Sequence, residues 1–424
     1  GVDVIWLSPH FDSPNADNGY DIRDYEKVMA EFGTMADFDA LLAGVKARGM
    51  RLIIDLVVNH TSDEHRWFVE SRKSTDNPYR DFYIWQPPGA DGGPPNDWRS
   101  FFSQRAWTLD EATGEYYLHL FARKQPDLNW ENPAVRDAVW QLMRFWLDKG
   151  VDGFRMDVIP FISKDQSFPD YPEEYRNRPS FYHANGPRMH EYIKEMHTQV
   201  LSHYDVMTVG EAAGTTLAQT PLLVDERRNE LNMVFQFDIV QLDRDDTGHW
   251  RTWQLPELKA IFARHAAALD QHSWSTVFIS NHDTPRALSR FGDDDPAWGT
   301  ASAKVLQTLL LTQRGTPFIY QGDELGMTNY PFTSVSQFDD IAVRNAWAGL
   351  QAAGHTDEAQ FVAGLNKTSR DHTRTPMQWT AGANAGFSTG TPWLATNPNA
   401  DRLNAEAAVA DPDSVYHFVE ALTR

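Results

Sequence analysis

The stretch GFRMDVI, residues 153–159, decides how the rest of the chain is read. An arginine and an aspartate stand two apart in an otherwise apolar run. A strand buried on both faces should read Val, Ile and Phe throughout, because an unpaired charge in a dry interior is strongly unfavourable. Side chains alternate across a strand, so Arg155 and Asp157 share one face. If the strand lines a barrel, that face is the lumen.

Working outward, short apolar runs alternate with longer helical patterns. VDVIWLSP (2–9) precedes MADFDALLAGVKARGM (35–50), whose apolar residues recur at helical spacing and whose Gly49 reads as a stop. RLIIDLVVNH (51–60) reads as a strand, NPAVRDAVWQLMRFWLDKG (132–150) as a helix, and then comes the strand of the opening stretch. The helix GPRMHEYIKEMHTQVLSHY (186–204) and the strand DVMTVGEA (205–212) follow. After a longer stretch come the helix LPELKAIFARHAAALD (255–270), the strand WSTVFISNHD (274–283), the helix GTASAKVLQTLLLTQRG (299–315) and the strand TPFIYQGDELG (316–326). Such alternation implies right-handed βαβ units and a parallel sheet. The number of units fits a (β/α)8 TIM barrel better than a doubly wound sheet, and no strand is followed by a dinucleotide fingerprint.

Two stretches break the alternation. Residues 61–128, with YIWQPPGADGGPPNDW (83–98), are too long for an ordinary connection and read as an inserted small subdomain. Residues 327–395 are similarly irregular. The expected organisation is a catalytic barrel whose first part is 1–60 and whose second part is 129–424. The irregular insertion of about 327–395 belongs to that second part. Both excursions follow strands, so they belong at the carboxyl-terminal mouth, where barrel active sites lie. The chain opens on GVDVIWLSP with no initiator Met, as though on a core strand with no element before it, so a fragment is expected.

Totals narrow the function. Among 424 residues, 38 Lys and Arg face 59 Asp and Glu, a formal charge of −21. This balance argues against nucleic acid or an anionic membrane surface as partner. No window approaches the roughly 18 apolar residues of a membrane helix, and no stretch reads as a secretory signal. Zero cysteines exclude disulfides, thiol catalysis and Cys-type zinc sites, and fit a cytoplasmic protein.

Charged residues accumulate at the carboxyl ends of the strands: Asp55, Asn59 and His60; Arg155 and Asp157; Glu211; His282 and Asp283. A lone carboxylate there reads as a helix cap or a salt bridge. Four such ends on one barrel face converge on a single pocket. Asp157, Glu211 and Asp283 then form a carboxylate triad suited to glycoside hydrolysis, which needs one carboxyl to protonate the leaving oxygen and another to attack or stabilise the sugar cation. Close like charges favour a protonated acid, while Arg155 beside Asp157 is expected to hold it ionised. His60 and His282 can donate to sugar hydroxyls.

In order, DLVVNH (55–60), GFRMDVI (153–159), VGEA (209–212) and FISNHD (278–283) closely resemble the four signature regions of the α-amylase family of glycoside hydrolases. The resemblance implies Asp157 as nucleophile, Glu211 as acid/base and Asp283 as stabiliser of the distorted sugar. It also implies that His60, Arg155 and His282 line the subsite of the attacked ring. SPNADNGYDIRDY (13–25), KQPDLNWENP (124–133) and SRDHTRTPMQW (369–379) resemble the oligo-1,6-glucosidase and α-glucosidase branch. In that branch Asp17 and an arginine, placed at Arg370 over Arg374, bind the non-reducing end, and Tyr20 stacks on the same ring. Phe121 lines the next subsite or is a packing aromatic.

The resemblance implies an exo-acting, retaining α-glucosidase for short oligosaccharides. Val158 resembles the α-1,6-acting branch, whereas α-1,4-acting relatives tend to have Thr there. Sucrose isomerases share the pattern, and QLDRDD (241–246) is similar to their product-determining loop, but they carry a bulky aromatic where this chain has Ala213. Sucrose isomerisation or transglucosylation is the alternative. A binding-only or inactive fragment is the non-enzymatic one. Family members also begin with a further strand and an Asp-rich metal loop and end in a β-sandwich. The first strand and the C-terminal β domain are therefore expected to be missing here. No cofactor is required, and a structural Ca or Mg site would lie in the missing N-terminal segment, so no metal ligands are assigned. Small oligosaccharides are the expected partners, and the sequence leaves the oligomeric state open.

Overall fold

The computed structural model describes residues 1–102, 105–245 and 249–424. The chain divides into two compact units. One comprises Val2–Gln236 with Ala268–Ser275, and the other Phe237–Ala267 with Thr276–Arg424 and Gly1.

The first unit is built on a five-stranded parallel sheet whose spatial order is its chain order: Val4–Leu7, Arg51–Leu56, Gly153–Met156, Met207–Glu211 and Met233–Phe235. Leu52, Ile53 and Ile54 are fully buried, as expected of a sheet covered on both faces. Between the strands lie the helices Met35–Ala47, Pro133–Lys149 and Met189–Gln199, each inside its predicted span. Local chemistry sets their limits. Thr34 and Asp37 form a capping box, and Gly49 follows the first helix at φ 73°. Asn132 caps the second, Pro133 occupies its first turn, and Gly150 ends it at φ 107°. That helix buries Val135, Val139, Trp140, Met143, Trp146 and Leu147, a stripe at i, i+4, i+7 spacing.

Register explains the charged face of the opening stretch. Asp55 is paired with Arg155 across neighbouring parallel strands, so their side chains leave the sheet on the same side. On the other side of the same strand, Gly153 permits close pairing with Met207. Its φ is 143°, and a Cβ there would lie 1.9 Å from the Met207 carbonyl oxygen.

Several readings are corrected. The strand Met233–Phe235 lies in the longer stretch before residue 255 and was not expected. It has only three residues, too few to show a period. Residues 61–128, expected as an inserted subdomain, contain a three-stranded antiparallel sheet, ordered Trp85–Gln86, Glu115–Leu118, Trp107–Asp110, which was not foreseen. The loop SPNADNGY is closed by pairing Phe11–Asp12 with Asp24–Val28.

In the second unit, the runs expected as strands over 274–283 and 316–326 contribute only Thr276–Val277 and Thr316–Pro317, which pair in parallel. The helix Gly299–Thr312 is where the pattern placed it. The stretch 327–395, read as irregular, contains the helices Ile341–Ala352 and Glu358–Thr368, capped by Asp340 and Asp357. Asp246 of the QLDRDD motif lies outside the described residues.

Candidate active site

In the first unit the carboxyl ends of three strands meet on one guanidinium. Arg155 Nη1 donates to Asp55 Oδ1 at 3.0 Å and to Asp157 Oδ1 at 2.6 Å, and its Nη2 donates to Glu211 Oε2. Tyr20 Oη donates to Asp55 Oδ2 at 3.1 Å, and the rings of Trp6 and Tyr20 lie 5.0 and 5.8 Å from the guanidinium carbon. Arg155 and Asp55 are almost completely buried. Asp55 is the partner that the sequence reading left out of the site. Only the strand register shows that it opposes Arg155.

Asp157 stands one residue past its strand and is held by its backbone N–H to the Leu56 carbonyl at 3.0 Å. The next residue, Val158, turns into the left-handed region at φ 36° and donates its N–H to Glu211 Oε2 at 3.3 Å.

The expectation that Arg155 holds Asp157 ionised is not met. Burial pushes the Asp157 carboxyl well above its usual range, Arg155 pulls it back, and Glu211 and Asp55 push it up again. One guanidinium shared among three carboxylates leaves an excess of negative charge, so the buried group favours holding a proton.

His60, at the end of the neighbouring strand, is buried, with Nε2 3.2 Å from the Tyr20 carbonyl oxygen and 3.2 Å from Gln125 Nε2. Burial lowers its pKa to about 4, so the ring is neutral. Gln125 Nε2 also donates to Asp17 Oδ2 at 3.0 Å. Asp17 is set in place by Asp21, whose carboxylate accepts from the N–H groups of Ala16 and Asp17. Phe121 lies 5.1 Å from the His60 ring and 5.2 Å from Phe101, so it belongs to an aromatic cluster at the edge of the carboxylate group. Asp21 and Gln125 were missed, because a buried acid and an amide in loops carry no period and no strand-end position.

In the second unit, Asp283 is flanked by two arginines and a histidine. Its Oδ1 accepts from Arg370 at 3.0 Å and Arg374 at 2.7 Å, and its Oδ2 lies 3.1 Å from His282 Nε2. Desolvation alone would raise its pKa, but His282, Arg370 and Arg374 outweigh it and hold the carboxyl well below its usual range. Arg370 is itself gripped by both oxygens of Asp340 at 2.8 Å, a bidentate pair. Asp340, not anticipated from sequence, takes its backbone position from the Asp371 carboxylate, which accepts from the N–H groups of Asp339 and Asp340. Both candidate arginines, 370 and 374, thus reach Asp283.

Among the described residues, no group of three or more His, Asp or Glu side chains is arranged to hold a metal ion, and no helix is long and apolar enough to cross a membrane.

The alpha-amylase catalytic domain model matches residues 1–424. The oligo-1,6-glucosidase of Halalkalibacterium halodurans is 55% identical over 428 residues, covering 100% of this chain and 76% of that protein. The oligo-1,6-glucosidase of Parageobacillus thermoglucosidasius is 52% identical with the same coverage. Among solved structures, the trehalulose synthase of Pseudomonas mesoacidophila MX-45 superposes with a TM-score of 0.97 at 50% identity, covering 100% of this chain and 76% of that one. A family match along the whole chain, with relatives about half identical over its full length, establishes that this protein belongs to the alpha-amylase family of glycoside hydrolases and carries its catalytic domain, a class built on a (β/α)8 barrel.

Proposed function

We propose that the protein is a retaining, exo-acting α-glucosidase that cleaves terminal α-1,6-glucosidic bonds of short oligosaccharides such as isomaltose, with α-1,4 bonds as a secondary target. The observation that carries this reading is the bridging of Asp157 and Glu211 by one guanidinium. Two carboxyls held on one guanidinium supply the acid and the nucleophile that a retaining enzyme needs. The oligo-1,6-glucosidase relatives at about half identity support the linkage.

Asp157 attacks the anomeric carbon while Glu211 gives its proton to the departing glycosidic oxygen. Water, deprotonated by Glu211, then attacks the glucosyl-enzyme and configuration is retained. The first step requires Asp157 in its ionised form, which Arg155 favours against the burial that raises its carboxyl. Asp283 stabilises the distorted sugar, and His60, Arg155 and His282 line its subsite. Asp17, Tyr20 and Arg370 bind the non-reducing end, and Phe121 borders the next sugar. No organic cofactor takes part, as is general for glycoside hydrolases of this family. Residues 61–128 act as a subdomain inserted after the barrel's third strand. The chain spans 76% of the length of these oligo-1,6-glucosidase relatives.

Sucrose isomerisation is the second reading, favoured by the likeness to the trehalulose synthase. Incubation with isomaltose, maltose and sucrose, followed by product chromatography, separates the two. Glucose released from isomaltose supports the proposal, and isomaltulose or trehalulose as the main product from sucrose overturns it. Asp157→Asn is expected to lower turnover by at least about 1,000-fold, as loss of a nucleophile does. Near-normal turnover would refute the assignment.

A further inference from the structure

Behind His60 lies a buried ion pair that the reaction itself does not use. Lys164 Nζ, with only 1% of its side chain exposed, donates to Asp127 Oδ2 at 2.8 Å and to Asn59 Oδ1 at 2.6 Å. An ammonium can only donate, so it fixes which end of the Asn59 amide faces it. The Asn59 nitrogen is thereby turned toward Asp127 Oδ2 at 3.3 Å and His60 Nδ1 at 3.1 Å. A donor aimed at Nδ1 requires Nδ1 to accept. A neutral imidazole must then carry its proton on Nε2, where the Tyr20 carbonyl oxygen waits at 3.2 Å.

One neighbour pulls the other way. Ala122 N–H donates to Gln125 Oε1 at 2.9 Å, which turns the Gln125 nitrogen toward His60 Nε2 at 3.2 Å. That nitrogen has Asp17 Oδ2 as an acceptor at 3.0 Å. The Asn59 nitrogen likewise has Asp127 Oδ2 as a second acceptor, so the two amides weigh alike and the Tyr20 carbonyl oxygen beside Nε2 decides. It selects the Nε2–H form.

We propose that Lys164 is a positioning residue that acts through Asn59 to hold His60 as the Nε2–H tautomer, whose proton ties the ring to the Tyr20 carbonyl oxygen and so fixes its orientation. Its benefit to turnover rests on the α-glucosidase reading, whereas the tautomer does not. Lys164 follows the nucleophile strand by way of the 3-10 turn Ile159–Phe161, so the segment after GFRMDVI reaches back to order the neighbouring strand end. Burial lowers the Lys164 pKa, and Asp127 opposes that shift.

The test is long-range 1H–15N NMR on protein with 15N-labelled histidine, with the His60 resonance assigned by its loss in His60→Gln. The wild-type protein should show protonated Nε2 and unprotonated Nδ1. In Asn59→Asp the Lys164 salt bridge gains a second carboxylate while His60 Nδ1 meets an acceptor, so the ring should switch to Nδ1–H. In the double variant Lys164→Met/Asp127→Asn, which removes both buried charges together, the Nε2–H preference should be lost. Its kcat/KM on p-nitrophenyl α-glucoside should fall about 10- to 100-fold, as for second-layer partners of metal-bound histidines. If the double variant does not fold, Asn59→Asp alone decides. A wild-type Nδ1–H ring, or an unchanged tautomer in Asn59→Asp, overturns the proposal whatever the substrate proves to be. An altered tautomer without hydrolysis of any glucoside refutes the α-glucosidase reading instead.

Discussion

Val158 adopts φ 36° and ψ 37°, a conformation that a β-branched residue enters at a cost of about 1–3 kcal/mol. What it achieves is visible in its neighbours. Asp157 keeps its strand bond to Leu56 and its side-chain bond to Arg155, while the turn at Val158 sends the next N–H to Glu211. Two catalytic candidates on different strands are therefore linked by one strained peptide and one guanidinium. Arg155 is the more critical of the two links. Arg155→Met leaves Asp55, Asp157 and Glu211 without their shared cation, and removing one member of a buried charge group costs about 3–5 kcal/mol. The expected result at pH 7.5 is a loss of that size in urea unfolding. At pH 5 the deficit should be smaller, because the stranded carboxyls can then take up protons. A deficit independent of pH would show that Arg155 acts by packing alone.

Elements succeed where their instructions are local. The helix Pro133–Lys149 is bounded by Asn132, Pro133 and Gly150 and filled by a 3.6-residue stripe, so it is fully legible in the sequence. The strand Met233–Phe235 and the small sheet within residues 61–128 are not, because their runs are two to four residues and, apart from the hairpin pairing Trp107–Asp110 with Glu115–Leu118, their pairing is long-range. The same division holds for the site. Asp157, Glu211 and Asp283 are candidates because the sequence pattern places them at expected strand ends. Asp55 is visible there too, but its partner is set by the register of a strand 100 positions away. Lys164, Gln125 and Asp340 act through contacts that no motif spacing encodes. Gly153 lets the strand of Arg155 pair with Met207 on its other side, and it gives a test at this scale. Gly153→Ala places a Cβ against the Met207 backbone and should destabilise the protein by at least about 3 kcal/mol, a core-disrupting effect. Gly49→Ala, also at positive φ but with open space around it, should cost only about 1–2 kcal/mol. Equal losses in thermal unfolding would mean that the backbone angle matters and the strand contact does not.

At the scale of the whole molecule, acid sensitivity follows from histidines rather than from the net charge of −21. Burial lowers His10, His60 and His372 to about 4 and His65 and His183 to about 3. Each is neutral when folded and takes up a proton near pH 6.5 when unfolded, so the stability it provides is complete above about 6.5 and declines as pH falls toward the folded value. Buried Asp323, raised to about 6, works in the opposite sense, since its contribution is complete below the ordinary carboxylate range and is lost as pH rises through about 6. The raised carboxyl of Asp157 acts in the same sense as Asp323, so the histidine effect has to be read at a single residue. His10 isolates the effect. Its ring stacks on Phe38 at 4.8 Å, meets Trp146 edge-on at 5.1 Å, and both of its nitrogens are buried without a hydrogen-bond partner. His10→Phe keeps the aromatic packing and removes the proton site. A group that shifts from 6.5 to about 4 withholds about 2 kcal/mol at pH 5 and almost nothing at pH 7.5. The variant should therefore gain about 2 kcal/mol more over the wild-type protein at pH 5 than at pH 7.5 in denaturant unfolding. The same gain at both values would trace its stability to packing and clear the buried ring of the acid liability assigned to it.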